Sequence, residues 1–121
     1  MRTVLLVTLF VLAACSSPHP DAVTNAQGHE VALYVTPGVS GQQNDVRVEV
    51  RGSRIPDISE LTLSTPDMTA PMQRVALKEE GSGSYSAGNI RFSKAGTWHA
   101  RVLERDSHGT REFASMNFNV R

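Results

Sequence analysis

The sequence predicts an all-β domain built as an antiparallel β-sandwich of about seven or eight short strands. Three observations predict it. Apolar side chains recur at every second position over most of the chain, which is the period of a half-buried strand. Turn residues interrupt these runs every ~8–12 residues, the spacing of a sandwich. No stretch beyond the first fifteen residues carries a helical apolar stripe.

The elements follow in order from His29. Val31, Leu33 and Val35 alternate with Ala32 and Tyr34 and stop at Thr36-Pro37-Gly38. Val46, Val48 and Val50 alternate with Arg47, Glu49 and Arg51, the cleanest strand signature in the chain. Leu61 and Leu63 form the next run, followed by Val75 and Leu77. Gly81-Ser82-Gly83 marks a turn before Tyr85, Ile90 and Phe92. Ser93-Lys94-Ala95-Gly96 turns into Trp98, Ala100 and Val102. Asp106-Ser107-His108-Gly109 is a hairpin loop, and Met116, Phe118 and Val120 close the sequence. Phe113 falls out of step with these last three, so a bulge is expected in the final strand. Trp98, the single tryptophan, is expected in the middle of the core, where sandwiches of immunoglobulin-like size place a large aromatic.

Composition narrows the function. The 121 residues suit one domain, and twelve Lys plus Arg balance twelve Asp plus Glu. That balance argues against nucleic-acid binding and against a polybasic membrane surface, both of which need a basic excess. A single Cys excludes an internal disulfide and a multi-thiolate zinc site.

The beginning of the chain reads as an address. Arg2 precedes the apolar run Val4–Leu12, which is too short to cross a bilayer core of ~30 Å. Small residues at Ala13 and Ala14 then suit signal cleavage. Leu12-Ala13-Ala14-Cys15 resembles the lipobox of bacterial lipoproteins, and the only thiol of the chain stands where that motif requires one. The resemblance implies a signal peptide over 1–14 and diacylglycerol on Cys15. Two or more acyl chains, unlike one, hold a protein stably at a membrane. Ser16, rather than Asp, follows the Cys; by enterobacterial sorting rules this implies the outer membrane, with the protein facing the periplasm. Residues 15–28, rich in Ser, Pro, Asp, Asn and Gly, are expected to form a flexible tether spanning at most ~45–50 Å. The sandwich is expected over 29–121.

Pro66-Asp67-Met68-Thr69-Ala70-Pro71-Met72, Gly83-Ser84-Tyr85 and Phe92-Ser93-Lys94-Ala95-Gly96-Thr97-Trp98 together resemble the YtkA-like domain family. The resemblance covers roughly Glu30 to Val120. It implies an immunoglobulin-like β-sandwich, exported and membrane-tethered, from a family with members near copper-handling and oxidase-assembly proteins. That family's loop often carries more thioethers; here Thr65 and Ala70 stand in such places, leaving Met68 and Met72.

Two uses are open to those methionines. As packing, they fold over the open end of the sandwich. As soft ligands, they hold Cu(I) with His99 or His29 as a third donor. The packing role is the expectation, because no multi-Met or Met–His cluster is present. His99 should point outward beside Arg101. Arg47, Glu49 and Arg51 are expected on a solvated outer face with weak cross-strand pairs. No G-x-S-x-G, H-E-x-x-H, P-loop or G-x-G-x-x-G motif is present. The expectation is a non-catalytic lipoprotein that binds an envelope protein, with copper binding as the alternative.

Overall fold

Alternating apolar side chains can be buried only if a second layer covers them, and the computed structural model supplies that layer. It describes residues 19–121; the expected signal peptide and Cys15 lie outside the described residues. Among the described residues nine strands are present: β1 (Ala22–Ala26), β2 (His29–Thr36), β3 (Asn44–Arg51), β4 (Ile58–Ser64), β5 (Gln73–Ala76), β6 (Lys78–Gly81), β7 (Ser84–Ile90), β8 (Gly96–Asp106) and β9 (Gly109–Val120). They form two antiparallel sheets, ordered β1-β2-β3-β7-β6 and β5-β4-β8-β9. No helix occurs among the described residues.

The expected inward positions fill the space between the sheets. Val31, Leu33, Val46, Val48, Leu61, Leu63 and Val102 are almost wholly enclosed. Each such side chain contributes about 1.5–3 kcal/mol relative to exposure. Trp98 is fully buried, and its indole nitrogen donates to the Lys94 carbonyl at 3.0 Å. Phe92 meets Trp98 and Phe118 edge-on, with ring centroids 5.0 and 5.7 Å apart. The displaced parity of Phe113 is a bulge: Ala114 pairs with Val102 and Glu112 with Leu103. The extra residue turns the Phe113 ring inward, where it meets His29 at 5.6 Å.

Two elements differ from the sequence reading. The expected tether of residues 15–28 overlaps β1, which pairs with β2 from Ala22↔Leu33 to Ala26↔His29. The domain therefore begins before His29. The connecting residues Gln27 and Gly28 both have positive φ (51° and 82°), the signature of a tight type I′ hairpin. The Asp21 amide donates to the Leu33 carbonyl, and the Asp21 carboxylate accepts from the Val35 amide, each at 2.7 Å. The second difference is at Leu77. Val75 and Leu77 do not share one strand; β5 lies in one sheet and β6 in the other, with the chain crossing between them.

Strand direction sorts the loops onto two ends. The β2–β3, β4–β5 and β7–β8 loops share one end with Asp21 and Arg121. Hydrogen bonds join them: Arg121 to Gly38, Ser40 to Arg121 and Gly41 to Phe92 along the backbone, then Gln73 to Arg91 and Lys94 to Thr69. The β1–β2, β3–β4, β6–β7 and β8–β9 connections lie at the opposite end.

Candidate functional site

The methionine loop is shaped by its own polar side chains. Pro66 and Asp67 occupy the centre of a turn closed by the Met68 amide donating to the Thr65 carbonyl at 3.0 Å. Thr65, almost fully buried, accepts the Ala70 amide on its hydroxyl at 3.3 Å. Asp67 accepts from the Thr69 hydroxyl at 2.8 Å and from the Thr69 amide at 3.2 Å. Lys94, from the β7–β8 loop, donates to that same hydroxyl at 2.6 Å and stands 3.7 Å from the Asp67 carboxylate. These donors, Thr69 first and then Thr65 and Lys94, hold the Asp67 carboxyl down at about 2.

This arrangement overturns the packing role expected for the methionines. Ala70 is the loop side chain that enters the core. Met68 and Met72 are 66% and 54% exposed. Met68 has φ 59°, a left-handed backbone position in the turn. A buried thioether cap is unnecessary because Ala70 and the aromatic cluster below it already close the interior.

The proposed third donors are distributed differently. His29 lies at the opposite end, with Nδ1 3.1 Å from the Gln27 carbonyl and Nε2 2.8 Å from the Ser53 carbonyl. It bridges two connections there and is removed from the methionine loop. His108 sits in the β8–β9 turn, also at that end. His99 points outward from β8, as expected, with Nδ1 2.6 Å from Asn117 Oδ1. Met72 lines a depression on the outer face of the same sheet with Thr62, Arg74, Arg101 and Leu103. Neither Met68 nor His99 lines it, so the three candidate ligands, Met68, Met72 and His99, are not gathered around one depression. Among the described residues no cluster of three His, Cys, Asp or Glu side chains is placed to hold a metal ion.

The outer face of the larger sheet carries a feature that alternation alone did not reveal. Tyr34, Thr36, Asp45, Arg47, Ser86 and Gly88 line an open depression of about 440 Å3. The Arg47 guanidinium lies over the Tyr34 ring, 4.3 Å from its centroid. Glu49 stands 2.9 Å from Arg47 Nε, yet that buried N–H has no aligned acceptor. Two outer-face arginines of the smaller sheet are paired closely, Arg101 with Glu112 and Arg74 with Glu60, at 2.7 and 2.6 Å. Exposed pairs of this kind contribute ~0–1 kcal/mol each. Tyr34 and Arg47 were legible as outward-facing, but their stacking across the β2–β3 register (Tyr34↔Arg47) was not.

The free edges offer less. β6 is short, fully exposed and charged through Lys78, Glu79 and Glu80, a composition that discourages strand addition. No protein-family model matches this chain, and no curated protein matches it.

Proposed function

We propose that the protein is a lipid-anchored envelope lipoprotein, tied to the outer membrane through Cys15 and facing the periplasm. In this reading the sandwich is a non-catalytic binding module that engages an envelope protein through the outer face of the larger sheet. One observation carries the reading: a half-exposed Tyr–Arg stack beside an open depression. Tyr and Arg are the side chains most often found as anchors in protein interfaces. A partner carboxylate would meet the exposed part of the Arg47 side chain, which is 41% accessible.

A YtkA-like identity belongs to the same proposal. Its support is spatial: two of the segments that carry the resemblance, Pro66–Met72 and Phe92–Trp98, meet through Lys94 and Thr69. The lipobox residues Leu12-Ala13-Ala14-Cys15 support the anchor.

The test places a photo-crosslinking residue at Ser86 in cells, and at Ser115 on the other sheet for comparison. A discrete adduct from position 86, lost with Tyr34→Ala plus Arg47→Ala, is the expected result. Equal adducts from both positions, or an adduct indifferent to the double substitution, would refute the docking face.

A second reading is favoured by the exposure of Met68 and Met72, which leaves both thioethers open to a soft metal. Residues 16–121 titrated with Cu(I) against a competing chelator decide it. Submicromolar binding lost in Met68→Ala with Met72→Ala supports a copper accessory role; binding weaker than micromolar removes it.

A further inference from the structure

We infer that the loop end of the sandwich rests on the bilayer to which Cys15 is tied, with Met68 and Met72 as the contacting side chains. The inference rests on the lipid-anchor reading and adds to it an orientation and a contact surface.

The argument begins with chain length. Asp21 is bonded into the sheet at Leu33 and Val35, so the connection from the anchor is Cys15 to Pro20. These six residues reach at most about 20 Å when fully extended. The longest strand, β9, packs beside β1 and has 12 residues, one of them the bulge; at ~3.3 Å for each of the rest the domain is about 35 Å long. Asp21 lies at the loop end. An inverted domain, with its opposite end on the membrane, would hold Asp21 about 35 Å away, beyond the reach of the connection. Loop end down is the upright arrangement that the chain permits.

The surface at that end suits a lipid headgroup layer. Among the described residues the exposed large apolar side chains are Val23, Met68 and Met72. Two of them lie on the methionine loop, Met68 in its first turn and Met72 at its junction with β5, where it also borders the outer-face depression; Val23 is two residues beyond Asp21. Unbranched thioethers conform to an irregular apolar surface. Arg91, Lys94 and Arg121 stand at this end with Asp21, Asp45 and Asp67, a balanced set of charges. Every glutamate of the chain lies elsewhere, on a strand. The loop is also held in place, through Asp67, Thr69 and Lys94, so little order is lost on contact. Lateral faces, including the Tyr34–Arg47 depression, stay open to a protein partner in this orientation.

The single thiol makes the test specific. The chain from Cys15 onward, which carries all nine strands, is coupled through that thiol to a maleimide lipid. The vesicles contain phosphatidylethanolamine and phosphatidylglycerol with a nitroxide-headgroup lipid. Methyl resonances of Met68 and Met72 are then compared with those of Ile55, at the opposite end, and buried Met116. Broadening at Met68 and Met72 at least threefold greater than at Ile55 is expected, as is loss of most Met68 broadening in Met72→Asp. Equal broadening at both ends, or stronger broadening at Ile55, overturns the orientation. Broadening at Met68 that Met72→Asp leaves unchanged overturns the contact. Acyl labelling in cells tests the anchor separately: equal labelling of wild type and Cys15→Ala overturns the anchor, and with it this inference, whatever the vesicles give.

Discussion

The two ends of the sandwich solve the same problem, how to turn a strand back, by different means. At the opposite end, three of the four connections are two-residue turns, the β3–β4 connection of six residues being the exception. Gln27-Gly28, Ser82-Gly83 and Ser107-His108 each join adjacent strands, helped by glycines at positive φ and by Asp106 accepting the His108 amide. Charged side chains crowd around them, and Arg111 pairs with the nearly buried Glu104 at 2.7 Å. The loop end uses longer segments held by buried polar side chains. Asn44, 1% exposed, accepts from the Gly38 and Val39 amides and donates to the Val39, Gln42 and Ile90 carbonyls. Short turns leave little surface to specialise; long tied loops can hold exposed methionines in fixed places. Both ends contribute to stability, and the loop end alone carries exposed methionines.

The largest expected effect that would break this contrast is at Asn44. Asn44→Ala orphans buried backbone donors and acceptors and should cost about 3 kcal/mol. For a domain of this size that lowers the melting temperature by more than about 10 °C. A loss under about 1 kcal/mol in urea denaturation would mean that the long loops hold themselves.

Gly83→Ala is the matching change at the other end. Gly83 has φ 78°, and an added Cβ would collide with the Val50 carbonyl and stand 3.0 Å from Ile55 Cδ1. A cost of about 2 kcal/mol is expected, with the methionine loop unchanged in its NMR shifts. Shifts spreading to Met68 would show that the ends are not independent.

The smallest effect concerns acid. The Asp67 carboxyl titrates at about 2 in the folded chain and near ~4 when unfolded. Its contribution is therefore complete above pH ~4 and fades as pH falls toward 2. Wild type should lose more melting temperature between pH 4 and 2 than Asp67→Asn, and parallel curves would show that the Thr69 contacts do not stabilise the fold.

Legibility followed the physics of burial. Val46–Val50 and Val31–Val35 announced themselves because one face of each strand is apolar and the other polar. Trp98 and the Phe113 bulge were readable because large aromatics and parity breaks leave few alternatives. β1 was not readable, since its inward residues Ala22, Thr24 and Ala26 are small while its valine, Val23, faces outward. Its Gln-Gly turn also lacks the stronger Asn-Gly signature. The β5-to-β6 crossover at Leu77 was hidden because a strand that changes sheets keeps its alternation. The methionine loop misled for another reason: a one-carbon side chain, Ala70, fills the place that sequence gave to two thioethers. The Tyr34–Arg47 stack needed register, which no single strand encodes.

In the proposed lipoprotein, where the domain begins sets its distance from Cys15 and which end can face the membrane. Amide hydrogen exchange on the chain from Cys15 onward measures that beginning directly. The Asp21 amide, bonded to Leu33, and the Val35 amide, bonded to the Asp21 carboxylate, should exchange at least about a hundredfold slower than unstructured amides. Asp21→Ala should release Val35 selectively. Free exchange at Asp21 and throughout Ala22–Ala26 would return the strand to the tether and contradict the account.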